Sequence, residues 1–158
     1  MELITTHIVK VSDLGVHGNM FGGIMLGLID QSAAVYAAQV CDTPRIVTLK
    51  IDELLFKNPV KEGNIIKIYG SVKEFGKTSV TLYIEVRKHN VYTGLQDVVA
   101  HTNIKFVRID EEGNPIPISE RVKKRYKDRV EKYGKGLLSF EERKTEIGRA
   151  HVWTPVTS

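Results

Sequence analysis

Apolar and polar residues follow two different periods along this chain. In the segment 21–40, FGGIMLGLIDQSAAVYAAQV, almost every residue is apolar or small, and its alanines favour helix. A helix that is apolar on nearly every side is a buried one, so the pattern predicts a long core helix. Asp30, Gln31 and Ser32 interrupt its apolar run well short of the ~20 residues that a membrane span needs. We therefore expect no membrane insertion.

After this helix the period becomes two. In 78–88, TSVTLYIEVRK, apolar and polar residues alternate, which predicts a half-buried strand. Turn signals such as Asn58-Pro59 and Gly76-Lys77 separate the segments, and the connections are too short for helical crossovers, so neighbours should be antiparallel. The other predicted strands are 2–11, 45–52, 64–75 and 98–109.

These elements predict an α+β fold. Its layout is one strand, a long buried helix, four strands and a surface helix. A twisted antiparallel sheet wrapped around one helix satisfies that order, because the sheet can then bury its apolar face on the helix. A length of 158 residues suits one domain. We expect this domain to cover 1–118.

The net charge of +4 is concentrated in one short stretch. Residues 120–135 hold 8 basic and 3 acidic side chains, whereas residues 1–119 hold 12 basic and 13 acidic side chains. Ser119-Glu120 marks a helix start, and Gly134 with Gly136 marks an end, which predicts a basic helix over 119–136. We expect a solvated surface helix docked by a thin apolar stripe. The alternative is a patch for an anionic ligand or nucleic acid, but no nucleic-acid motif accompanies the charge, so we expect no nucleic-acid partner.

The remaining residues, 137–158, form a tail. From about Glu146 onward its sequence closely resembles a common sequencing adapter translated in frame, with a stop codon read as Trp153. We expect 146–158 to be non-native. The first residues lack the pattern of a secretory signal, and the single cysteine, Cys41, cannot form an internal disulfide. These observations predict a cytoplasmic protein.

Asp30 is a carboxylate in the middle of an apolar helix. Burying an unpaired carboxylate is costly, so Asp30 must be paired, hydrogen-bonded, neutral or functional. Gly22 and Gly23 stand at the expected start of the same helix, where backbone N–H groups suit an anion or a developing oxyanion. The simpler alternatives are a satisfied core aspartate and glycines needed for a tight turn. Each alternative explains only one of the two features. Their presence together on one helix therefore favours a catalytic role.

The remaining candidates for chemistry are few. The five histidines are scattered and one cysteine leaves no metal-ligand spacing, so we expect no metal and no cofactor. We interpret Cys41 as a small buried residue near the helix end and not as a nucleophile. His17, in the loop before the helix, is either a solvent-exposed loop histidine or an acid–base partner of Asp30.

The run from Gly15 to Asp30, with Phe21-Gly22-Gly23 and an aspartate nine residues after the phenylalanine, resembles the hotdog-fold acyl-CoA thioesterases. The closer branch it resembles comprises bacterial acyl-CoA hydrolases and their two-domain eukaryotic relatives. The agreement covers roughly residues 3–110. It continues in Ile46-Val47-Thr48-Leu49, in Phe56-Lys57-Asn58-Pro59-Val60 followed by Glu62-Gly63, and in Gly76-Lys77-Thr78-Ser79-Val80.

This resemblance implies a hotdog fold whose minimal unit is a homodimer, with dimers often assembling into hexamers. It also implies hydrolysis of a fatty acyl-CoA thioester to a free acid and CoA, with CoA present only as part of substrate and product. In that family the residue matching Asp30 acts as general base or nucleophile. The residue matching Asn19 positions the thioester or water, and the position of Thr48 lines the site from the partner's side.

The resemblance also implies the binding groups. The backbone amides of Gly22 and Gly23 would form the oxyanion hole. The resemblance does not assign His17, which lies in the loop before them and is a further substrate-binding candidate. The CoA nucleotide would be held by a turn with nearby basic groups, namely Gly76, Lys77, Thr78, Ser79 and Lys57. The basic helix would help to attract the anionic CoA.

Two other functions are open to such a fold. One is a non-catalytic module that binds acyl-CoA. The other is a hotdog enoyl-CoA hydratase or dehydratase, whose chemistry needs a histidine and a carboxylate near the thioester, with His17 and Asp30 in those roles. Turnover of a thioester or hydration of an enoyl-CoA would separate the three.

Overall fold

The computed structural model describes residues 1–133, with side chains up to residue 128. The predicted tail 137–158, with its adapter-like segment 146–158, lies outside the described residues. The elements run β1 (Glu2–Ile8), a short 3-10 turn (Val11–Asp13), α1 (Gly22–Cys41), β2 (Ile46–Ile51), β3 (Leu55–Phe56), β4 (Ile65–Phe75), β5 (Ser79–His89), β6 (Gln96–Arg108) and α2 (Glu120–Tyr133).

All strand pairs are antiparallel, and the sheet order is β1-β4-β5-β6-β2, with β3 also paired to β6. The predicted α+β architecture is confirmed. The prediction of four strands after the helix was wrong by one, because β3 has only two residues and shows no alternation. It forms because β6, with 13 residues, extends past the six residues of β2 and offers its free edge to Leu55 and Phe56.

Helix α1 lies on the inner face of this sheet. Its residues Ile29, Ala33 and Ala37 are fully buried, as are the inward-pointing residues of β5. Gly70 on β4 allows the close packing, because a Cβ there would lie 3.2 Å from the Tyr36 ring. By length and composition alone α1 could cross a membrane, but in this structure it packs against the sheet as the core helix.

Among the described residues, nothing covers one side of α1. Leu26 and Val35 are exposed there, and a Cβ at Gly27 would meet nothing within 4 Å. The neighbouring edge strand β2 exposes Val47 and Leu49, the latter by 63%. An uncovered strand edge beside exposed apolar groups is typical of a surface that pairs with another chain. The expectation of burial on every side is therefore wrong for this face of a single chain.

The basic helix predicted after Ser119 is confirmed as α2. Val122 is fully buried and the Tyr126 ring packs 5.8 Å from that of Phe75, which is the predicted docking by an apolar stripe. Arg125 donates to the Val40 carbonyl at 3.2 Å, and both Arg121 and Arg125 pair with Asp42. Cations are favourable at a helix C-terminus. Helix α2 therefore packs against the C-terminal end of α1.

Candidate active site

The N-terminus of α1 presents two backbone donors. Phe21 begins the helix, and its carbonyl accepts the N–H groups of Ile24 and Met25 at 3.0 and 3.1 Å. Within the described residues, the N–H groups of Gly22 and Gly23 have no acceptor. The first N–H groups of a helix lack partners inside it, and the helix dipole adds positive potential. This end of α1 can therefore bind an anion or a developing negative charge.

A cavity of about 400 Å³ opens at this end of the helix. Asn19, Gly22 and Lys57 line it on the polar side. Phe56 lies against the helix start, with its ring 3.6 Å from the position that a Cβ on Gly22 would take. The other apolar walls are Met20, Met25, Val60 and Val99. Such a mixture, mostly apolar with a few polar groups, is typical of a small-molecule site.

Backbone hydrogen bonds fix the two segments that frame the cavity. The Met20 N–H donates to the Val60 carbonyl at 2.7 Å, which joins the loop before α1 to the segment after β3. The Lys57 N–H donates to the Val99 carbonyl at 2.7 Å, and the Asn58 side chain donates to Val98. The segment after β3 is therefore held by β6, and the loop before α1 is held by the segment after β3.

Asp30 accepts a hydrogen bond of 2.8 Å from the hydroxyl of Thr48 on β2. Thr48 pairs in register with Phe106, which is fully buried on the inner face, so the threonine side chain points toward α1. The resemblance placed the position of Thr48 on the partner's side of the site. Here the contact forms within one chain, because β2 runs alongside the middle of α1.

The two groups of candidate residues are separate within one chain. Asp30 follows Gly22 by eight residues, which at 1.5 Å per residue is ~12 Å along the helix. That distance exceeds the reach of an aspartate side chain. The structure thus brings Asn19, Gly22 and Lys57 to the cavity, and it places Asp30 with Thr48 about two turns away.

Residues 17–95 match the model of a protein family described as the thioesterase superfamily. The chain belongs to the thioesterase superfamily. This thioesterase-superfamily chain is 27% identical over 117 residues to an uncharacterized acyl-CoA thioester hydrolase of Bacillus subtilis, covering 74% of the chain and 67% of that relative. It is 29% identical over 135 residues to the rat cytosolic acyl coenzyme A thioester hydrolase, covering 80% of the chain but only 35% of the rat enzyme.

Solved structures share the fold of this thioesterase-superfamily chain. A hexameric hotdog fold thioesterase of Campylobacter jejuni superposes with a TM-score of 0.71 at 31% sequence identity, covering 80% of the chain and 97% of that structure. The hotdog fold implied by the resemblance is therefore confirmed.

His17 is exposed in the turn closed by the Gly18 N–H and the Gly15 carbonyl. Among the described residues no hydrogen bond joins His17 to Asp30, whose hydroxyl partner is Thr48. The suggested His17–Asp30 acid–base pair is therefore not formed within one chain of this superfamily member. The geometry fits the interpretation of His17 as a loop histidine.

The candidate CoA-binding residues fall into two places. The turn from Gly76 to Ser79 is closed by the Gly76 N–H and the Ser79 carbonyl at 2.8 Å. The Lys77 carbonyl accepts the Ile118 N–H and the Lys123 ammonium, so this turn lies beside α2. Lys57 lies at the other end of α1. Within one chain, Lys57 and the Gly76–Ser79 turn therefore do not form a single CoA-binding site.

Cys41 is buried at the end of α1, as predicted. Burial raises the pKa of its thiol to about 11, and a protonated thiol is a poor nucleophile. Among the side chains that the structure describes, no three histidine, cysteine, aspartate or glutamate residues are grouped as a metal site would require.

The cavity walls were not singled out from sequence. Phe56 and Val60 entered only through the resemblance, and Met25 and Val99 look like ordinary core residues. An apolar residue gives no local signal of whether it faces a core or a ligand.

Proposed function

We propose that this protein is an acyl-CoA thioesterase, which hydrolyses a fatty acyl-CoA thioester to a free acid and CoA. One observation carries the proposal. The same helix of a thioesterase-superfamily chain holds N-terminal amides without an acceptor and, about two turns later, a hydrogen-bonded carboxylate. Thioester hydrolysis needs a donor for the developing oxyanion and a group that activates water or attacks the carbonyl. Gly22 and Gly23 supply the first, and Asp30 supplies the second.

In this proposal each neighbouring residue has a role. Asn19 lines the cavity beside Gly22 and positions the thioester or the attacking water. Thr48 orients the Asp30 carboxylate through its hydrogen bond. The exposed His17 would contact the substrate from the loop that precedes Asn19. No step requires a cofactor.

The complete site takes two chains. Because Asp30 lies ~12 Å along α1 from Gly22, it cannot reach a carbonyl held by the amides of its own helix. The uncovered face of α1 and the open edge of β2 provide a surface where a second copy would bring its own helix start to Asp30. The same pairing would bring Lys57 of one copy toward the Gly76–Ser79 turn of the other.

A homodimer is therefore the smallest active unit in this proposal. The hexameric state of the Campylobacter jejuni structure supports a further assembly into a trimer of dimers. A cytoplasmic location is part of the proposal, because the single cysteine cannot form an internal disulfide.

Hydrolysis is tested with a panel of acyl-CoA substrates and detection of the free CoA thiol. We expect Asp30→Asn to keep the fold and to lose ~10²–10⁴-fold in kcat, the usual contribution of a general base. Asp42→Asn is the matched control, because Asp42 lies at the far end of α1 and should leave kcat unchanged. Near wild-type activity in Asp30→Asn would remove Asp30 from the mechanism. A wild-type protein that binds acyl-CoA without turnover, or hydrates an enoyl-CoA, would replace the proposed function.

The shared site is tested by complementation between two inactive variants. Chains carrying Asp30→Asn are co-expressed with chains carrying Asn19→Ala, so that mixed dimers form. If Asp30 of one chain works with Asn19 of the other, each mixed dimer contains one site without either substitution and recovers activity. If both residues act within one chain, every site carries a defect and no activity returns.

A further inference from the structure

A side-chain hydrogen bond outside the cavity holds the loop that leads into α1. His7 on β1 donates from Nε2 to Oδ2 of Asp13 at 2.8 Å, and the same oxygen accepts the Lys10 N–H at 2.9 Å. The His7 and Asp13 side chains are only 21% and 10% exposed. The Lys10 N–H, followed by the His7 side chain, holds the pKa of Asp13 below its usual value. Asp13 is therefore fixed to the end of an edge strand.

The backbone of Asp13 connects this fixed point to the start of α1. Its carbonyl accepts the N–H of Phe21, the residue that begins α1, at 2.8 Å. Phe21 has no side-chain cap of its own, so this backbone bond anchors the helix start together with the bond from the Met20 N–H to the Val60 carbonyl. Inside the loop that it closes, the Asn19 carbonyl accepts the Gly15 N–H at 2.7 Å.

We propose that His7 and Asp13 are positioning residues for the oxyanion-binding amides of Gly22 and Gly23 and for Asn19. This inference rests on the proposed thioesterase function. The pair touches neither substrate nor reacting atoms. It sets where the loop 14–20 ends and therefore the direction in which the first N–H groups of α1 point. Misplacement of a catalytic group by about 1 Å can cost ~10²-fold in rate, so even a small shift of this loop is measurable.

The test uses two pairs of substitutions that differ only in hydrogen bonding. His7→Leu removes the donor, whereas His7→Gln places an amide N–H near the position of Nε2. Asp13→Ala removes the acceptor, whereas Asp13→Asn keeps one oxygen for Lys10 and His7. Asp110→Ala is the control for Asp13→Ala, because Asp110 also accepts backbone N–H groups, from Glu112 and Asn114, but lies in the loop after β6.

We expect His7→Leu and Asp13→Ala to lower kcat about tenfold or more, with KM changed much less, because oxyanion binding is strongest in the transition state. His7→Gln and Asp13→Asn should recover most of the loss, and Asp110→Ala should keep wild-type kcat. Wild-type kcat in His7→Leu overturns the inference, as does a loss that the conservative variants fail to restore. An equal loss in Asp110→Ala also overturns it, because the effect would then be general destabilisation.

Hydrogen exchange gives a readout that does not depend on activity. In His7→Leu, amides of residues 14–24 should exchange about fivefold faster or more than in the wild type, while β4 and β5 keep their protection. Unchanged exchange in that segment refutes the positioning role even if no thioester is hydrolysed. If the wild type hydrolyses no acyl-CoA but the exchange difference is seen, the proposed function fails and the structural link stands. If His7→Leu does not fold, the Asp13→Ala and Asp13→Asn pair decides both measurements.

Discussion

Removal of the Thr48 hydroxyl is the most direct test of how Asp30 is oriented. Thr48→Val keeps the size and branching of the side chain but cannot donate to Asp30, and Thr48→Ser keeps the donor. Thr48 is exposed in the single chain, so the valine leaves no buried polar group behind in that chain. The expected loss is therefore one of catalysis and not of folding.

The size of the effect follows from the geometry. The Thr48 Oγ1 to Asp30 Oδ1 distance of 2.8 Å is ideal for an O–H···O bond. Hydrogen bonds to charged groups contribute ~1.5–3 kcal/mol, and the lower end applies because solvent reaches the pair. Since 1.36 kcal/mol corresponds to a factor of ten in rate, we expect Thr48→Val to lower kcat about tenfold.

The measurement is steady-state hydrolysis of one acyl-CoA substrate by the wild type, Thr48→Val and Thr48→Ser, with thermal unfolding of each. Thr48→Ser should stay within about threefold of wild-type kcat because it can donate the same bond. A Thr48→Val protein with wild-type kcat would refute the orienting role. A loss matched by a large drop in melting temperature would instead assign Thr48 to stability.

Three further predictions concern the cavity, the thiol and the basic helix. Phe56→Ala should change kcat/KM unequally for short and long acyl chains, measured across the substrate panel, because its ring borders Gly22; equal changes would contradict an acyl-contacting role. Cys41, with a pKa raised to about 11, should stay protonated at pH 8 and react with a thiol reagent only after unfolding; rapid labelling of the native protein would refute this. Replacing the exposed Lys124 and Lys127 with glutamine should raise KM for acyl-CoA at low salt, and an unchanged KM would show that α2 does not attract the anion.

Removing α2 altogether is a poorer test of that last point. From sequence alone, truncation after Ile118 looks like a clean way to delete the positive charge. In the structure Val122 is fully buried and Tyr126 packs on Phe75. Truncation would therefore expose core surface, and any change in KM could follow from lost stability.

Much of the fold could be predicted because the apolar–polar pattern of a long segment indicates both its type of secondary structure and its burial. The apolar run of α1 and the alternation in β5 report local burial directly, and both elements lie within one or two residues of their predicted bounds. The two-residue β3 could not be predicted, since its strand state depends on the free edge of β6. The exposure of Val47 and Leu49 could not be predicted from the local alternation either, because it depends on β2 being the edge strand of the sheet.

The sequence by itself determined which residues are chemically unusual: a carboxylate inside an apolar helix, two glycines at its start, and an excess of positive charge concentrated in the helix that follows the sheet. Only the tertiary structure decided which of them meet. Thr48 reaches Asp30 because β2 pairs with the inner-facing register of β6, and Asp13 reaches His7 because the chain turns back at the end of β1. Local patterns specify which side of an element is buried, whereas contacts between elements depend on sheet order and register, which residues distant in sequence establish together.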